Sequence, residues 1–193
     1  TFSMLAGIFP GRIDLGLGRA PGSDQRTAYA LQRDRRQAQA DDFPEQLGEL
    51  MGYLYDRLPE NHPFAPLART LPGRPEGPEL WLLGSSPQSG IWASELGLPY
   101  AFADFISPIG AGIMARYREA FAASSRRPSP QGIVAVWALC AETAAEAERL
   151  ASSSRMAFAL FQRGVFIAVP PIDTALEFLA RPQDPLTVMR PRR

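Results

Sequence analysis

The chain has 193 residues, 46% of them hydrophobic and 21% charged, and its 20 basic and 20 acidic side chains balance to a net charge of zero. This composition belongs to a globular protein with one sizeable core, and the balance gives no global basic field for nucleic acid. Every basic residue is arginine, so Schiff-base chemistry, a P-loop lysine and a lysine general base are excluded.

Phe2, Leu5, Ile8 and Phe9 fall at helical spacing, and Pro10-Gly11 stops that helix. Ile13, Leu15 and Leu17 then alternate with Arg12, Asp14, Gly16 and Gly18, which is the period of a strand. The apolar set is expected to face covering helices. The other face ends in two glycines, offering backbone and space just ahead of Arg19, and such a strand end suits an anionic ligand. Ser23 or Asp24 is placed to cap a helix through Ala28, Tyr29 and Leu31 into the mixed-charge run Arg33–Arg36. Asp41-Asp42 followed by Pro44 starts another helix, striped by Phe43, Leu47, Leu50, Met51, Leu54 and Leu58. Residues 59–78 are rich in proline and glycine and are expected to make an excursion over the surface.

Glu79–Leu83 is a compact apolar strand that ends in Gly84-Ser85-Ser86-Pro87. Ser86 with Pro87 makes an N-cap and first-position pair for a helix through Ile91, Trp92 and Leu96, closed by Gly97 as a left-handed C-cap. Tyr100–Ala103 is the third strand. Ser107-Pro108 repeats the cap signal before a helix carrying Met114, Tyr117 and Phe121. Gly132–Ala141 is a continuous apolar run, as expected of a strand buried on both faces. Thr143 and Glu146 form a capping box for a long helix to about Arg163, and a short helix around Leu176–Leu179 follows the Pro170-Pro171 break. The basic end Arg190–Arg193 reads as a frayed terminus.

Alternating strands and helices predict an α/β fold with parallel strands joined by crossover helices. Two architectures satisfy the pattern: an open doubly wound sheet, or part of a closed barrel. A complete eight-unit barrel typically needs about 250 residues. Four strands in 193 residues therefore point to a single domain of half a barrel.

Gly16-Leu17-Gly18 fails as a dinucleotide fingerprint, because Pro21 stands where G-x-G-x-x-G needs its third glycine and no acidic residue follows at the expected distance. Arg19 is the sharper candidate: a guanidinium at a strand's C-terminal end can grip a phosphate bidentately. Gly84-Ser85-Ser86 supplies the second half of such a site, since backbone N–H groups and the positive end of a helix dipole point outward there. Both roles of Ser86, capping and anion binding, are compatible. His62, the sole histidine, sits in a proline-rich loop and is expected to be satisfied by solvent or backbone; with no cluster of His or Cys, a metal site is not expected. Cys140 excludes an intrachain disulfide and reads as a packed thiol. No catalytic acid, base or nucleophile is identified, which favours a cofactor that brings its own chemistry.

Residues Gly11–Asp24, Leu82–Ser86 and Leu96–Ala103, with the strand from Ile133 and the helix opening at Thr143, resemble the bacterial luciferase-like flavin-dependent monooxygenases. The resemblance implies a TIM (β/α)8 barrel, of which this chain holds about strands four to seven; the first three strands would precede Thr1 and the eighth would follow Val188. It implies reduced FMN, supplied by a flavin reductase, and O2 acting on an organic small-molecule substrate. By position Arg19 resembles the phosphate arginine, with Gly84, Ser85 and Ser86 as the serine-containing turn. Gly18, Phe102 and Ala103 complete the implied cofactor-binding set, with Asp104 beside them near the isoalloxazine or substrate. The resemblance further implies a homodimer in the cytoplasm. No apolar run long enough for a bilayer and no signal-peptide pattern is read in the sequence. Two alternatives stay open: a non-catalytic flavin-binding protein on a reduced barrel, and a deazaflavin-dependent oxidoreductase.

Overall fold

The computed structural model describes residues 1–19, 29–30, 42–70, 72–107, 109–123 and 127–181. The chain separates into two compact units, Thr1–Val136 and Trp137–Arg193. The expected helix from Ser23 to Arg36 lies outside the described residues except at Tyr29 and Ala30, and the basic C-terminal end lies wholly outside them.

The first unit runs through α1 (Phe2–Ile8), β1 (Asp14–Gly18), α2 (Phe43–Tyr55), α3 (Ala65–Ala68), β2 (Glu79–Gly84), α4 (Pro87–Glu95), β3 (Tyr100–Ala103), α5 (Gly110–Glu119) and β4 (Gly132–Ala135). Its strands form one sheet in the order β1-β2-β3-β4. All three pairings are parallel, as the alternation of strands and helices predicts. Leu15, Leu80, Leu82, Tyr100 and Phe102 point to one side of the sheet. There they join Leu47 of α2, Ala93 of α4 and Ile113, Met114 and Tyr117 of α5 in the core. The α2 stripe behaves as read up to Leu54: Leu47 is buried, and Phe43, Leu50, Met51 and Leu54 pack against the core, but the helix ends at Tyr55 with Asp56 as its left-handed cap, so Leu58 lies beyond it. Within the excursion 59–78, α3 buries Ala65 and Ala68, and Arg74 ties the segment back through the Ala68 carbonyl at 2.9 Å and the Asp56 carboxylate at 2.5 Å. That hydrogen bond to Arg74 holds the Asp56 carboxyl below its usual range.

Three buried hydroxyls are hydrogen-bonded within this unit. Tyr117, wholly buried, sits 3.0 Å from the Leu98 carbonyl and 2.9 Å from that of Gln131, so its phenol bridges the entries to β3 and β4. Burial raises its pKa and keeps the proton on the oxygen. Ser94 of α4 donates to the Ile91 carbonyl at 2.8 Å. Ser89, at the start of the same helix, is bonded to Tyr100.

Three expectations are corrected here. The last strand of the sheet ends at Ala135, not Ala141, and all four of its residues are exposed. It is the edge of the sheet, so among the described residues only one side of it has a strand partner, and its apolar side chains lack the cover a central strand has. Helix α5 starts at Gly110 with Ile109 as N-cap rather than at Ser107, because the chain first turns back, with the Ile106 and Ser107 N–H groups donating to the Ala103 carbonyl. Cys140 is exposed rather than packed, since it lies beyond the end of that shortened strand.

The second unit contains α6 (Ala144–Phe161) and α7 (Ile172–Ala180), which pack on each other with Ser152, Ala159 and Ala175 buried. Thr143 Oγ1 accepts from the Glu146 N–H at 3.2 Å, the first half of the expected capping box. The second half is absent: the Glu146 carboxylate is engaged by Arg149 through two bonds of 2.8 and 2.9 Å. The chain leaves α6 through Gly164 at φ +75°, close to the Arg163 end read from the sequence.

Gly97 closes α4 in the left-handed region at φ +62°, and a Cβ there would come within 2.6 Å of the Ala122 carbonyl oxygen. Backbone strain and collision act together, so Gly97→Ala is expected to cost about 1–3 kcal/mol. A denaturant midpoint equal to that of the parent protein would contradict this.

Candidate functional site

Parallel pairing decides which residues meet at the strand ends. Gly18 of β1 lies opposite Leu83 of β2, so the chain emerges as Arg19 beside Gly84. Gly84 in turn pairs with Phe102 of β3, and Ala103 pairs with Ala135 of β4. The expected candidates therefore gather along one edge, at the C-terminal ends of four aligned strands. Open parallel sheets and barrels bind ligands at this end.

Side-chain alternation sorts them between two faces. Gly16, Gly18, Leu83, Ala101 and Ala103 lie on the face away from the helices. Leu83 is 41% exposed there, consistent with an open surface. Phe102 lies on the opposite side, wholly buried. Its ring packs edge-on to Tyr100 at 6.2 Å and occupies the space a Cβ on Gly110 would take. Phe102 therefore backs the site through the core and does not present its ring to the open face, which corrects its expected place beside a ligand. A residue one position along a strand changes face, and the sequence alone left the phase of this four-residue strand open.

The two face glycines have different reasons. A Cβ on Gly16 would run 2.7 Å from Leu83 Cδ1, the end of a half-exposed side chain that would have to turn aside. A Cβ on Gly18 would meet nothing closer than the Leu83 carbonyl oxygen at 3.6 Å, an ordinary contact. Among the described residues, packing thus leaves space at Gly18, immediately before Arg19.

Arg19 is exposed, and its guanidinium carbon lies 5.8 Å from the ring centroid of Trp92. Trp92 belongs to α4 and is itself braced against Phe43 of α2 at 5.3 Å. A guanidinium over an indole is held by the ring quadrupole, worth about 0.5–1 kcal/mol at an exposed position. The contact directs Arg19 toward the helix that opens at Ser86. Sequence reading missed Trp92, because a tryptophan inside an amphipathic helix looks like any core aromatic.

The turn after β2 is built for exposed donors. Ser86 caps α4, its Oγ accepting from the Ser89 N–H at 3.4 Å. Pro87 has no N–H to contribute, and Gln88 follows with an N–H that has no partner inside the helix. Ser85 is half-buried and Ser86 exposed. Gly84 permits the turn, for a Cβ there would overlap the Ser89 side chain. Asp104 follows β3, its N–H donating to the Ala135 carbonyl at 3.0 Å and so fastening β3 to β4.

His62 lies apart from this chemistry, as expected. Its Nδ1 accepts from the Phe64 N–H at 3.3 Å, which leaves the proton on Nε2, 3.6 Å from the Glu49 carboxylate. Among the described residues no group of three or more His, Cys, Asp or Glu could hold a metal ion, and no helix is long and apolar enough to cross a membrane. At the opposite, N-terminal end of the sheet a shallow polar hollow of about 250 Å³ is lined by Asp14, Glu79, Trp81 and Arg127. There Arg127 is paired to Glu79 at 2.5 Å and to Gln131 Oε1 at 2.6 Å, so its charge is committed within the chain.

Comparisons with known proteins identify the family. The family model of the luciferase-like monooxygenases matches residues 1–183. A luciferase-like monooxygenase of Escherichia coli (strain K12) is 40% identical over 171 residues, covering 88% of this chain and 49% of the relative. The N-acetyl-S-alkylcysteine monooxygenase of Bacillus subtilis (strain 168) is 41% identical over 106 residues, covering 55% of this chain and 31% of the relative. The crystal structure of apo-MsnO8 superposes with a TM-score of 0.72 at 35% identity, over 95% of this chain and 52% of that one. The chain spans about half the length of the curated relatives it matches. With a parallel α/β sheet whose candidate residues meet at the strand ends, and a family match over nearly all of its length, the chain belongs to the luciferase-like monooxygenase family.

Proposed function

We propose that the protein carrying this chain is an FMN-dependent monooxygenase. On this reading its four strands are about the fourth to seventh of a (β/α)8 barrel, and the helix-free face is the barrel's interior. The observation that carries it is the meeting of Arg19, held over Trp92, with the donor-rich turn Gly84-Ser85-Ser86 at one end of a parallel sheet. A cation and a helix N-terminus converging there favour a dianionic group such as a phosphate monoester.

The residues fit FMN. Arg19 is suited to two phosphate oxygens at once, and its stacking on Trp92 restricts it before the ligand arrives. Ser85 and Ser86 add hydroxyl and backbone donors around the remaining oxygens. Ser86 caps the helix with a lone pair and retains its own proton for an anion. The space left by Gly18 and the small Ala103 give a planar ring room over the strand ends, while Phe102 stiffens β3 from behind. When bound, reduced FMN supplies the reaction with O2. This chain's residues anchor and orient it. None of them is assigned a proton-transfer step, since His62 is committed to its loop and the Tyr100 and Tyr117 phenols are buried.

The same reading carries a flavin reductase as the source of reduced FMN, a homodimer, a cytoplasmic location and a small organic substrate. The relative that oxidises an N-acetyl-S-alkylcysteine by name makes thioethers a sensible first panel beside long-chain aldehydes. With reduced FMN and ¹⁸O2, the intact protein is expected to place one labelled oxygen atom in the product of an accepted substrate and the other in water. Label confined to water and peroxide across the panel would count against monooxygenation.

Two substitutions separate the parts of the site. Arg19→Ala is expected to weaken FMN about ten- to a hundredfold and riboflavin by less than about twofold, the loss of a charge-assisted contact to phosphate alone. Equal losses for both ligands in a fluorescence titration would remove Arg19 from that role. Gly18→Ala is expected to leave the melting temperature unchanged or slightly raised, because the described residues leave room for the methyl, yet to reduce the affinity for FMN. Unaltered FMN binding would show that the free space is not the ligand's.

A further inference from the structure

Beneath the proposed phosphate turn a line of buried hydroxyls links β3 to the start of α4. Tyr100 on β3 is wholly buried, its ring fixed between Phe102 at 6.2 Å and Tyr117 at 5.4 Å. Its phenol lies 2.8 Å from Ser89 Oγ, and Ser89 Oγ lies 2.7 Å from the carbonyl oxygen of Ser86. The protons can be assigned. The Ser86 carbonyl can only accept, so the single hydroxyl proton of Ser89 occupies that bond. Tyr100 must then donate to Ser89. Burial raises the phenol's pKa, which keeps the donor protonated across the neutral range.

The direction is therefore Tyr100 O–H to Ser89 Oγ–H to Ser86 carbonyl. Ser89 grips Ser86 twice, since its N–H also donates to Ser86 Oγ. One residue thus fixes both the peptide plane after Ser86 and the rotamer of its side chain. The Ser89 side chain also fills the space that makes Gly84 necessary, so the turn rests on it from two directions. We infer that Tyr100 and Ser89 are positioning residues for the anion-binding turn: a hydroxyl relay from β3 sets the aim of the Ser85-Ser86 donors that the strand β2 alone leaves free to rotate.

This rests on the reading that the turn holds the FMN phosphate, and the experiment keeps the two apart. Tyr100→Phe removes only the hydroxyl and keeps the packed ring. In the intact protein it is expected to weaken FMN about five- to tenfold, riboflavin less than about twofold, and to preserve a cooperative thermal transition. Ser89→Ala breaks the relay at its centre and is expected to give the same asymmetric loss. The double variant is expected to lose no more FMN affinity than the weaker single, because both changes interrupt one chain of bonds. A merely structural role would lower FMN and riboflavin affinity in parallel, or make the two losses multiply, and either result overturns the inference. If the parent protein prefers FMN and Arg19→Ala abolishes that preference while Tyr100→Phe and Ser89→Ala keep it, the relay falls and the phosphate site stands. A parent protein that binds riboflavin as tightly as FMN overturns both.

Discussion

Everything at the strand ends depends on the parallel pairing of β1 with β2. Five consecutive register pairs, from Asp14–Glu79 to Gly18–Leu83, carry two stretches of chain sixty-odd residues apart in sequence to the same height. Because the strands run the same way, both release their next residues at one end of the sheet. Arg19 and Gly84 are brought side by side by that fact alone. An antiparallel pairing of the same two segments would set the cation and the helix N-terminus at opposite ends. The hydrophobic alternation enforces the register: a one-residue slip of β1 would turn Leu15 out of the core and Gly16 into it, and a slip of β2 would turn out Leu80 and Leu82 and bring in Leu83.

Given that frame, the helices contribute more than cover. Helix α4 offers its N-terminus to the open end of the sheet, its Ser89 to the buried relay, and Trp92, one and a half turns on, to Arg19. Phe43 of α2 braces Trp92 in turn. The segment between β1 and β2 therefore acts on the site at a distance: α2 sets a tryptophan, and the tryptophan sets an arginine. On the sheet, glycine does two distinct jobs. Gly84 is required by the Ser89 side chain packed against it, and Gly16 faces the movable end of Leu83. Gly18 has no such neighbour among the described residues, and its missing side chain leaves room there.

The order of strands and helices, their parallel direction, the caps at Ser86 and Thr143 and the left-handed close at Gly97 were all legible from local pattern, because each depends on residues within a few positions of one another. What was not legible depends on tertiary neighbours. The apolar run from Gly132 reads as a buried strand, yet its position at the sheet edge leaves it exposed and only four residues long. Phe102 was placed beside a ligand by resemblance, and strand phase turns it into the core. Trp92 and Tyr100 gave no signal beyond hydrophobic periodicity; their roles exist only once Arg19 and Ser89 lie against them. The helix expected near Tyr29 falls outside the described residues apart from its middle.

The division of labour follows from the chemistry of the side chains the sheet collects. At the strand ends there is a permanently charged guanidinium, two hydroxyls, a helix N-terminus and small residues; Asp104 is the carboxylate that follows β3. A guanidinium offers an anion two parallel donors in a fixed fork, a geometry that an ammonium or an imidazole does not reproduce. The buried phenols behind it are held protonated by their surroundings, which suits donors that orient rather than groups that exchange protons. On the proposed reading such an end fixes one anionic group and leaves small residues beside it. A redox cofactor needs that from its anchor: a strong hold on the phosphate, remote from the reacting ring, so that binding energy is used to place the ring and no side chain of the anchor competes in the chemistry.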